Sequence, residues 1–337
     1  MPCRFLLKET LPVLFRWTFV FPCDRMKELR QTYQSSKNGE DPFMIFLDNL
    51  VNGISLGSIY AIIALGYTMV YGIAKMLNFA HGDVIMMGAY IAFCALQYWN
   101  MPPLVSLVVA MLACTVMGVV IEGLAYRPLR QAASLAVLIT AIGMSYLLQN
   151  LALMIWGANP KSFPSSMINI PTISLFGGEL KIAGATLVTI VANIIIMVAL
   201  TFFTSKTKMG KAMRCVSEDR GAAALMGINV NQTISITFAI GSALAAVAGI
   251  LLCSSYPTLQ PTTGSMPGIK AFTAAVFGGI GSIPGAMLGG LLLGVIEIFG
   301  KAYISTELGD AIVFAVLIVV LLVKPTGLLG KPVREKV

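Results

Sequence analysis

The sequence has few charged residues and lacks the motifs of a soluble enzyme. Charged side chains make up 11% of its 337 residues and hydrophobic ones 57%, whereas a soluble domain carries about 25% charged residues. No GxxxxGK[ST] phosphate-binding motif is present, so the sequence predicts no ATP hydrolysis by this chain. We also find no pairing of a nucleophile with a base, and we predict that the chain is not an enzyme.

Cysteine and histidine are too scattered to build a site. The six cysteines stand at positions 3, 23, 94, 114, 215 and 253, and the chain has a single histidine. This spacing predicts neither a disulfide framework nor a metal site, and no cofactor is indicated. The formal net charge of +8 comes from basic residues that flank apolar stretches, where they orient membrane spans, so no nucleic-acid partner is predicted.

Long apolar stretches make up most of the chain. About eight of them approach the roughly 20 residues needed to cross a bilayer, near residues 44–73, 84–97, 104–125, 134–156, 183–204, 233–253, 286–299 and 310–323. The sequence therefore predicts an all-α fold, a polytopic integral membrane helix bundle with one transmembrane domain at residues 44–326. Residues 1–43, where Pro12 and Arg16 break a short apolar run, are predicted to be an extension outside this domain, and residues 327–337 a cytoplasmic tail. The polar stretch at 157–181 is predicted to lie outside the membrane and to form a small hairpin.

One long polar interval, residues 206–231, separates two strongly apolar stretches. It carries five basic residues against Glu218 and Asp219, and a basic loop close to membrane spans is normally retained in the cytoplasm. Its apolar residues recur at helical spacing and predict an amphipathic helix over 211–226 that ends before Gly227: Met213, Val216, Ala223 and Met226. The interval is either a solvated connector or a docking helix for a cytoplasmic partner.

Polar residues interrupt the apolar pattern at KMLNFAHGD, residues 75–83. Irregular backbone at membrane depth persists only where it is buried in protein or lines a cavity, and helix ends there offer directed amides and carbonyls to a ligand. The candidate substrate-pathway residues of this stretch are Asn78, Phe79, His81, Gly82 and Asp83. The alternative is a polar surface turn in which Asp83 completes the start of a helix at Val84.

A second interruption is predicted at residues 268–290, which are rich in glycine and contain Pro284. Glycine and proline together oppose a regular helix. A pair of broken apolar segments, one in each half, is a sequence pointer to the central site of a transporter, so Gly279, Gly281 and Pro284 are also candidate pathway residues. The alternative is a turn that binds no ligand.

Three stretches resemble one protein family. LNFAHGD, GKAMRCVSEDRGAAALMGINV and GGIGSIPGA are similar to the corresponding stretches of ABC importer permeases for branched-chain amino acids. In that family's coupling loop a glutamate and two alanines precede a glycine; Ala222, Ala223 and Gly227 fit, whereas Gly221 stands where many members have glutamate. The resemblance implies that an acidic contact to the ATPase comes from Glu218 or Asp219. The apolar coupling residues would be Met213, Ala223 and Met226.

The resemblance also implies a function and an assembly. It implies a permease subunit of an ATP-driven importer in the bacterial inner membrane that moves Leu, Ile or Val into the cytoplasm; importers of urea and short amides share this architecture. The implied partners are two ATP-binding cassette ATPase subunits, a second related permease subunit and an extracytoplasmic substrate-binding protein, besides membrane lipid. The alternative is a stand-alone secondary transporter or channel that uses the intramembrane acids Asp83 and Glu297 with a gradient.

Overall fold

A computed structural model of the chain describes residues 42–330 except Asn169 and residues 176–179. The predicted extension at 1–43 and the predicted tail at 327–337 therefore lie largely outside the described residues. The compact unit described below begins at Phe46.

Helices make up most of the described chain. Its eleven α-helices are α1 (Pro42–Ala74), α2 (His81–Gln97), α3 (Pro103–Ile121), α4 (Ser134–Trp156), α5 (Gly184–Lys206), α6 (Lys208–Glu218), α7 (Arg220–Leu225), α8 (Val230–Ser255), α9 (Ser265–Gly278), α10 (Ile283–Tyr303) and α11 (Gly309–Val323). Six helices of this described part are long and apolar enough to cross a membrane: α1, α3, α4, α5, α8 and α10. The prediction of an all-α membrane bundle is confirmed, and each of the eight predicted spans coincides with a helix.

Short strands and turns complete the fold. The strands are β1 (Lys161–Ser162), β2 (Ile173–Leu175), β3 (Leu180–Ile182) and β4 (Thr258–Leu259), and a 3-10 turn spans Ser165–Met167. β2 and β3 pair antiparallel with Ile173 opposite Ile182, which confirms the predicted hairpin. β1 pairs antiparallel with β4, so the segment after α4 is tied to the segment that follows α8.

Side-chain caps set the helix boundaries of the polar interval 206–231. Thr207 accepts a hydrogen bond from the Gly210 N–H at 3.0 Å at the start of α6, and Asp219 accepts one from the Gly221 N–H at 2.8 Å at the start of α7. Asp219 has extended backbone, with φ −154° and ψ 114°, because a capping residue stands outside the helix that it caps. The prediction of one helix over 211–226 is therefore wrong: the interval contains two short helices that meet at Asp219.

The polar interval marks one side of the bundle, which we call the basic-loop side. Arg220 of α7 donates a hydrogen bond to the carbonyl of Ala74 at the end of α1, and Arg130 donates one to Asn231 near the start of α8. α1 therefore runs from the opposite side to the basic-loop side, and α8 runs away from it.

Helices α1, α2 and α8 form the buried centre. Ile59 and Leu65 of α1 are fully buried. The α2 and α8 backbones approach closely, since a Cβ placed on Gly88 would meet the Cα of Ala246 at 2.6 Å, and small residues allow such contacts between membrane helices. By contrast α3, α4 and α5 expose apolar side chains such as Leu112, Leu135 and Ile195, as expected of a lipid-facing rim.

Two helices begin inside the bundle. Non-helical residues 75–80 lead back from Ala74 to His81. The His81 ring lies against Gly66 of α1, and Gly66 is about 12 Å along that helix from Ala74. Residues 256–264 likewise return from the end of α8 to the start of α9. The structure thus starts α2 at His81, not at Val84 as the turn alternative assumed.

The second interruption lies inside the predicted stretch 268–290. Residues 268–278 belong to α9, and only 279–282 are non-helical before α10. The break falls where Gly279 and Gly281 adopt positive φ angles of 104° and 94°, a region open to glycine at little cost. The predicted interruption within 268–290 is therefore confined to 279–282, among its clustered glycines.

Candidate functional site

The N-termini of α2 and α9 meet inside the bundle. A Cβ placed on Gly82 would lie 2.7 Å from the Gly264 carbonyl oxygen, so this approach requires glycine. α2 leads away from the basic-loop side, whereas α9 leads towards it. Beyond the end of α9, Gly281 lies beside Gly72 of α1. The first turns of both helices carry N–H groups without intrahelical partners and the positive ends of the helix dipoles, which favours negative charge between them.

Asp83 lies in the first turn of α2 and is 1% exposed. Its Oδ1 accepts a hydrogen bond from the Gln149 amide of α4 at 2.9 Å, and the same amide nitrogen lies 3.3 Å from the Ser265 hydroxyl at the start of α9. Asp83 does not occupy the N-cap position, which belongs to Ala80. The carboxylate is therefore held between three helices at the point where the two broken helices meet.

Aromatic rings line one flank of this meeting point. The rings of Tyr67 and His81 lie 4.6 Å apart, and Phe272 lies 5.7 Å from both Tyr67 and Phe79. His81 is buried, and its Nε2 has no hydrogen-bond partner among the described residues. These rings offer apolar surface beside a few polar groups, the usual composition of a small-molecule site.

A narrow crevice joins the two interruptions. Asn78 from the first and Ile280 from the second line it, together with other residues of α1, of the first interruption and of α9: Tyr67, Val70, Tyr71, Met76, Leu77, Phe272 and Ala275. The other candidates of the second interruption lie elsewhere. Gly279 packs against Gly330 of the C-terminal segment, and Pro284 is an exposed residue in the first turn of α10.

A π-helical turn contacts the non-helical residues 75–80 of the first interruption. The turn spans Glu122–Tyr126 at the end of α3, and the buried Tyr126 hydroxyl donates to Asn78 Oδ1 at 2.9 Å. Single π-turns inside α-helices occur frequently at functional sites. Here the turn places a phenol against the non-helical residues 75–80.

The predicted docking face of the polar interval is largely covered by the chain itself. Met213 is 1% and Ala223 3% exposed, because the apolar side of α6 and α7 packs on the bundle. Met213 and Ala223, which the resemblance implied as contacts for the ATPase, are therefore covered by this chain. The exposed side chains are instead Leu225 and Met226, at 90% and 83%.

The other predicted coupling residues are exposed as well. They are Glu218, Asp219, Ala222 and Gly227. Gly227 has φ 79° and its N–H donates to the Ala224 carbonyl at 3.0 Å, which confirms it as the stop of the helix. The coupling role of these residues stays a prediction.

Polar contacts tie α7 to the first interruption. Arg220 bonds the carbonyl of Ala74, the last residue of α1 before residues 75–80. The pKa of the Arg220 guanidinium lies below its usual value, chiefly because of burial and secondly because of the positive charge of nearby Arg130. Arg130 pairs with Glu122 of the π-turn, which also accepts from the Ser235 hydroxyl of α8 at 2.6 Å. A movement of α7 would therefore act directly on the residues that flank the interruption.

A buried ionic network, which was not predicted from the sequence, joins α1, α9, α10 and α11. Glu297 of α10 accepts from Tyr60 at 2.9 Å, from Lys270 at 2.8 Å and from Lys301 at 2.5 Å. Lys270 also pairs with Asp310 of α11 at 2.5 Å. Lys270 in an otherwise apolar stretch was the available signal, since a charge inside a membrane segment normally has a partner.

Comparisons with known proteins identify the family. The family model described as "Branched-chain amino acid transport system / permease component" matches residues 49–321. The chain is 46% identical over 315 residues to LivH of Escherichia coli strain K12, covering 88% of this chain and 99% of that protein. It is 47% identical over 304 residues to BraD of Pseudomonas aeruginosa, covering 87% of this chain and 98% of BraD. A LivH of Methanocaldococcus jannaschii is 30% identical over 300 residues, covering 83% of this chain and 91% of that protein. The chain therefore belongs to the family of permease components of branched-chain amino acid transport systems.

Proposed function

We propose that the chain is a membrane-spanning permease subunit of an ATP-driven importer and that its substrates are branched-chain amino acids. The observation that supports this most strongly is the nearly full-length similarity to LivH and BraD, which are named as permease proteins of high-affinity branched-chain amino acid transport systems. The basic-loop side would face the cytoplasm, since basic loops are retained there. The location would be the inner membrane of a bacterium.

The meeting point of α2 and α9 is the proposed centre of the substrate pathway. A zwitterionic amino acid would place its carboxylate at the helix N-termini and its ammonium group at Asp83. Its aliphatic side chain would lie against Phe79 and Phe272, whose rings are 5.7 Å apart. The crevice at Asn78 and Ile280 would then lead towards the basic-loop side.

ATP hydrolysis would occur in partner subunits, because this chain has no phosphate-binding motif. The proposed assembly contains two ATP-binding cassette ATPase subunits, a second related permease subunit and an extracytoplasmic substrate-binding protein. Leu225 and Met226, exposed on the basic-loop side, would dock the ATPase. The Arg220 contact to Ala74 would pass the movement of α7 to residues 75–80 and so alternate access to the pathway.

The test is leucine uptake by the assembled transporter. Proteoliposomes that contain this chain and its partner subunits, with substrate-binding protein on one side and ATP on the other, should take up labelled leucine only with hydrolysable ATP. Uptake by this chain alone, driven by an ion gradient without ATP, would contradict the proposal and support a stand-alone secondary transporter. Competition among leucine, urea and short amides in the same assay identifies the substrate class.

A further inference from the structure

A second cavity opens on the side opposite the basic loop. Its volume is about 490 Å³, within the roughly 300–1,000 Å³ of small-molecule sites. Four helices supply its walls: α1, α5, α8 and α10. Its innermost residue on α1, Ile59, lies about 10 Å along the helix from Gly66, which packs against His81.

The cavity has one fixed charge. Among the described residues that line it, Lys301 alone is charged, and its side chain is 34% exposed. Its ammonium group has three N–H donors, and Glu297 Oε1 accepts at 2.5 Å. Lys301 therefore keeps hydrogen-bonding capacity for an anionic group in the cavity.

Two helix ends add fields of opposite sign. The N-terminus of α5 reaches the cavity through Ala185 and Thr186, and its N-cap residue Ala183 has a methyl side chain that cannot accept hydrogen bonds from the first N–H groups. The C-terminus of α8 reaches it through Ser254 and Ser255, where the last carbonyls carry the negative end of the dipole. The cavity thus offers a positive and a negative wall.

A further feature fits an aliphatic amino acid. Leu56 and Ile298 line the cavity with apolar side chains.

We propose that this cavity binds an α-amino acid before the substrate moves to the meeting point of α2 and α9. The carboxylate would bind Lys301 and the N-terminus of α5, the ammonium group would lie at the C-terminus of α8, and the aliphatic side chain would lie on Leu56 and Ile298. This assignment rests on the proposed function, because it takes its ligand class from it.

Leucine uptake kinetics of the assembled transporter provide the first test. Lys301→Gln should raise KM for leucine at least about tenfold with little change in kcat, because it removes a charged hydrogen bond to the carboxylate. Lys301→Arg should restore a KM near that of the wild type. Asp310→Asn is the matched control: it alters the same ionic network from outside the cavity and should leave KM unchanged. An unchanged KM in Lys301→Gln, or an equal rise in Asp310→Asn, would overturn the assignment.

Thiol protection of the full-length chain in lipid nanodiscs tests the cavity separately from transport. Asn52, an exposed residue of the cavity wall, is replaced by cysteine and labelled with a membrane-impermeant maleimide, with wild-type chain as the background. Excess leucine should slow labelling, and leucinamide, which has no carboxylate, should slow it much less. Equal labelling with and without leucine would refute the cavity site. If the wild-type transporter shows no ATP-dependent leucine uptake, the proposed function fails, and the labelling result then decides the cavity site alone.

Discussion

Lys270→Met tests whether the buried ionic network holds α9, α10 and α11 together. Lys270 is 6% exposed and lies 2.8 Å from Glu297 and 2.5 Å from Asp310. Methionine keeps most of the side-chain volume and removes the charge. Before the change two cations pair with two anions; afterwards Glu297 keeps Lys301, and Asp310 loses Lys270.

The expected loss of stability follows from burial. Removing one partner of a buried ion pair costs about 3–5 kcal/mol. Glu297 keeps Lys301 and Tyr60 as partners, so we expect the lower end, about 3 kcal/mol, or roughly 150-fold in the unfolding equilibrium. Asp310 is 48% exposed, and the loss of a solvent-screened charge in Asp310→Asn should cost only about 0–1 kcal/mol.

Reversible unfolding in mixed detergent and SDS micelles, followed by helicity, measures these differences. The double variant Lys270→Met with Glu297→Gln restores charge balance and should lose less stability than the sum of the single variants. A loss below about 0.5 kcal/mol for Lys270→Met, the usual effect of a surface substitution, would refute this account of the network. A loss equal to that of Asp310→Asn would refute it as well.

Three further predictions concern the pathway and the energy source. Asp83→Ala should reduce leucine uptake more than it reduces the amount of assembled complex; an equal loss of both, measured by uptake and by co-purification, would assign Asp83 to the fold instead. Tyr126→Phe leaves the buried Asn78 Oδ1 without its donor, which should cost about 1–3 kcal/mol and lower uptake; normal uptake with normal thermal stability would contradict the role of the π-turn. The full-length chain purified alone should bind no labelled ATP analogue in equilibrium dialysis. Saturable binding would contradict the proposal that ATP is bound and hydrolysed by partner subunits.

Hydropathy was sufficient to predict the membrane helices, since crossing a bilayer demands long apolar stretches whatever they contact. The span predicted at 134–156 has the bounds of α4. The hairpin and the stop at Gly227 followed from local turn chemistry in the same way. Each of these features depends on neighbours along the chain.

Contacts between distant segments could not be predicted. Tyr60 and Glu297 are separated by 237 positions, and no local pattern pairs them. The amphipathic pattern at Met213 and Ala223 indicated an apolar face that must be covered, but it did not show that the chain covers that face itself. The meeting of Gly82 with Gly264 likewise depends on two chain returns whose depth only the fold determines.

Co-purification with the ATPase is the most direct test of the central claim, that this chain couples transport to an ATP-hydrolysing partner. The tagged chain, solubilised from membranes that contain all subunits, should bring an ATP-binding cassette ATPase with it. Leu225→Asp and Met226→Asp place a charge on the two residues proposed to dock the ATPase and should release it while the chain still inserts. Lys208→Gln, which removes an exposed charge at the start of α6, should retain it. Absence of an ATPase from the wild-type preparation, or its full retention by both aspartate variants, would contradict the account.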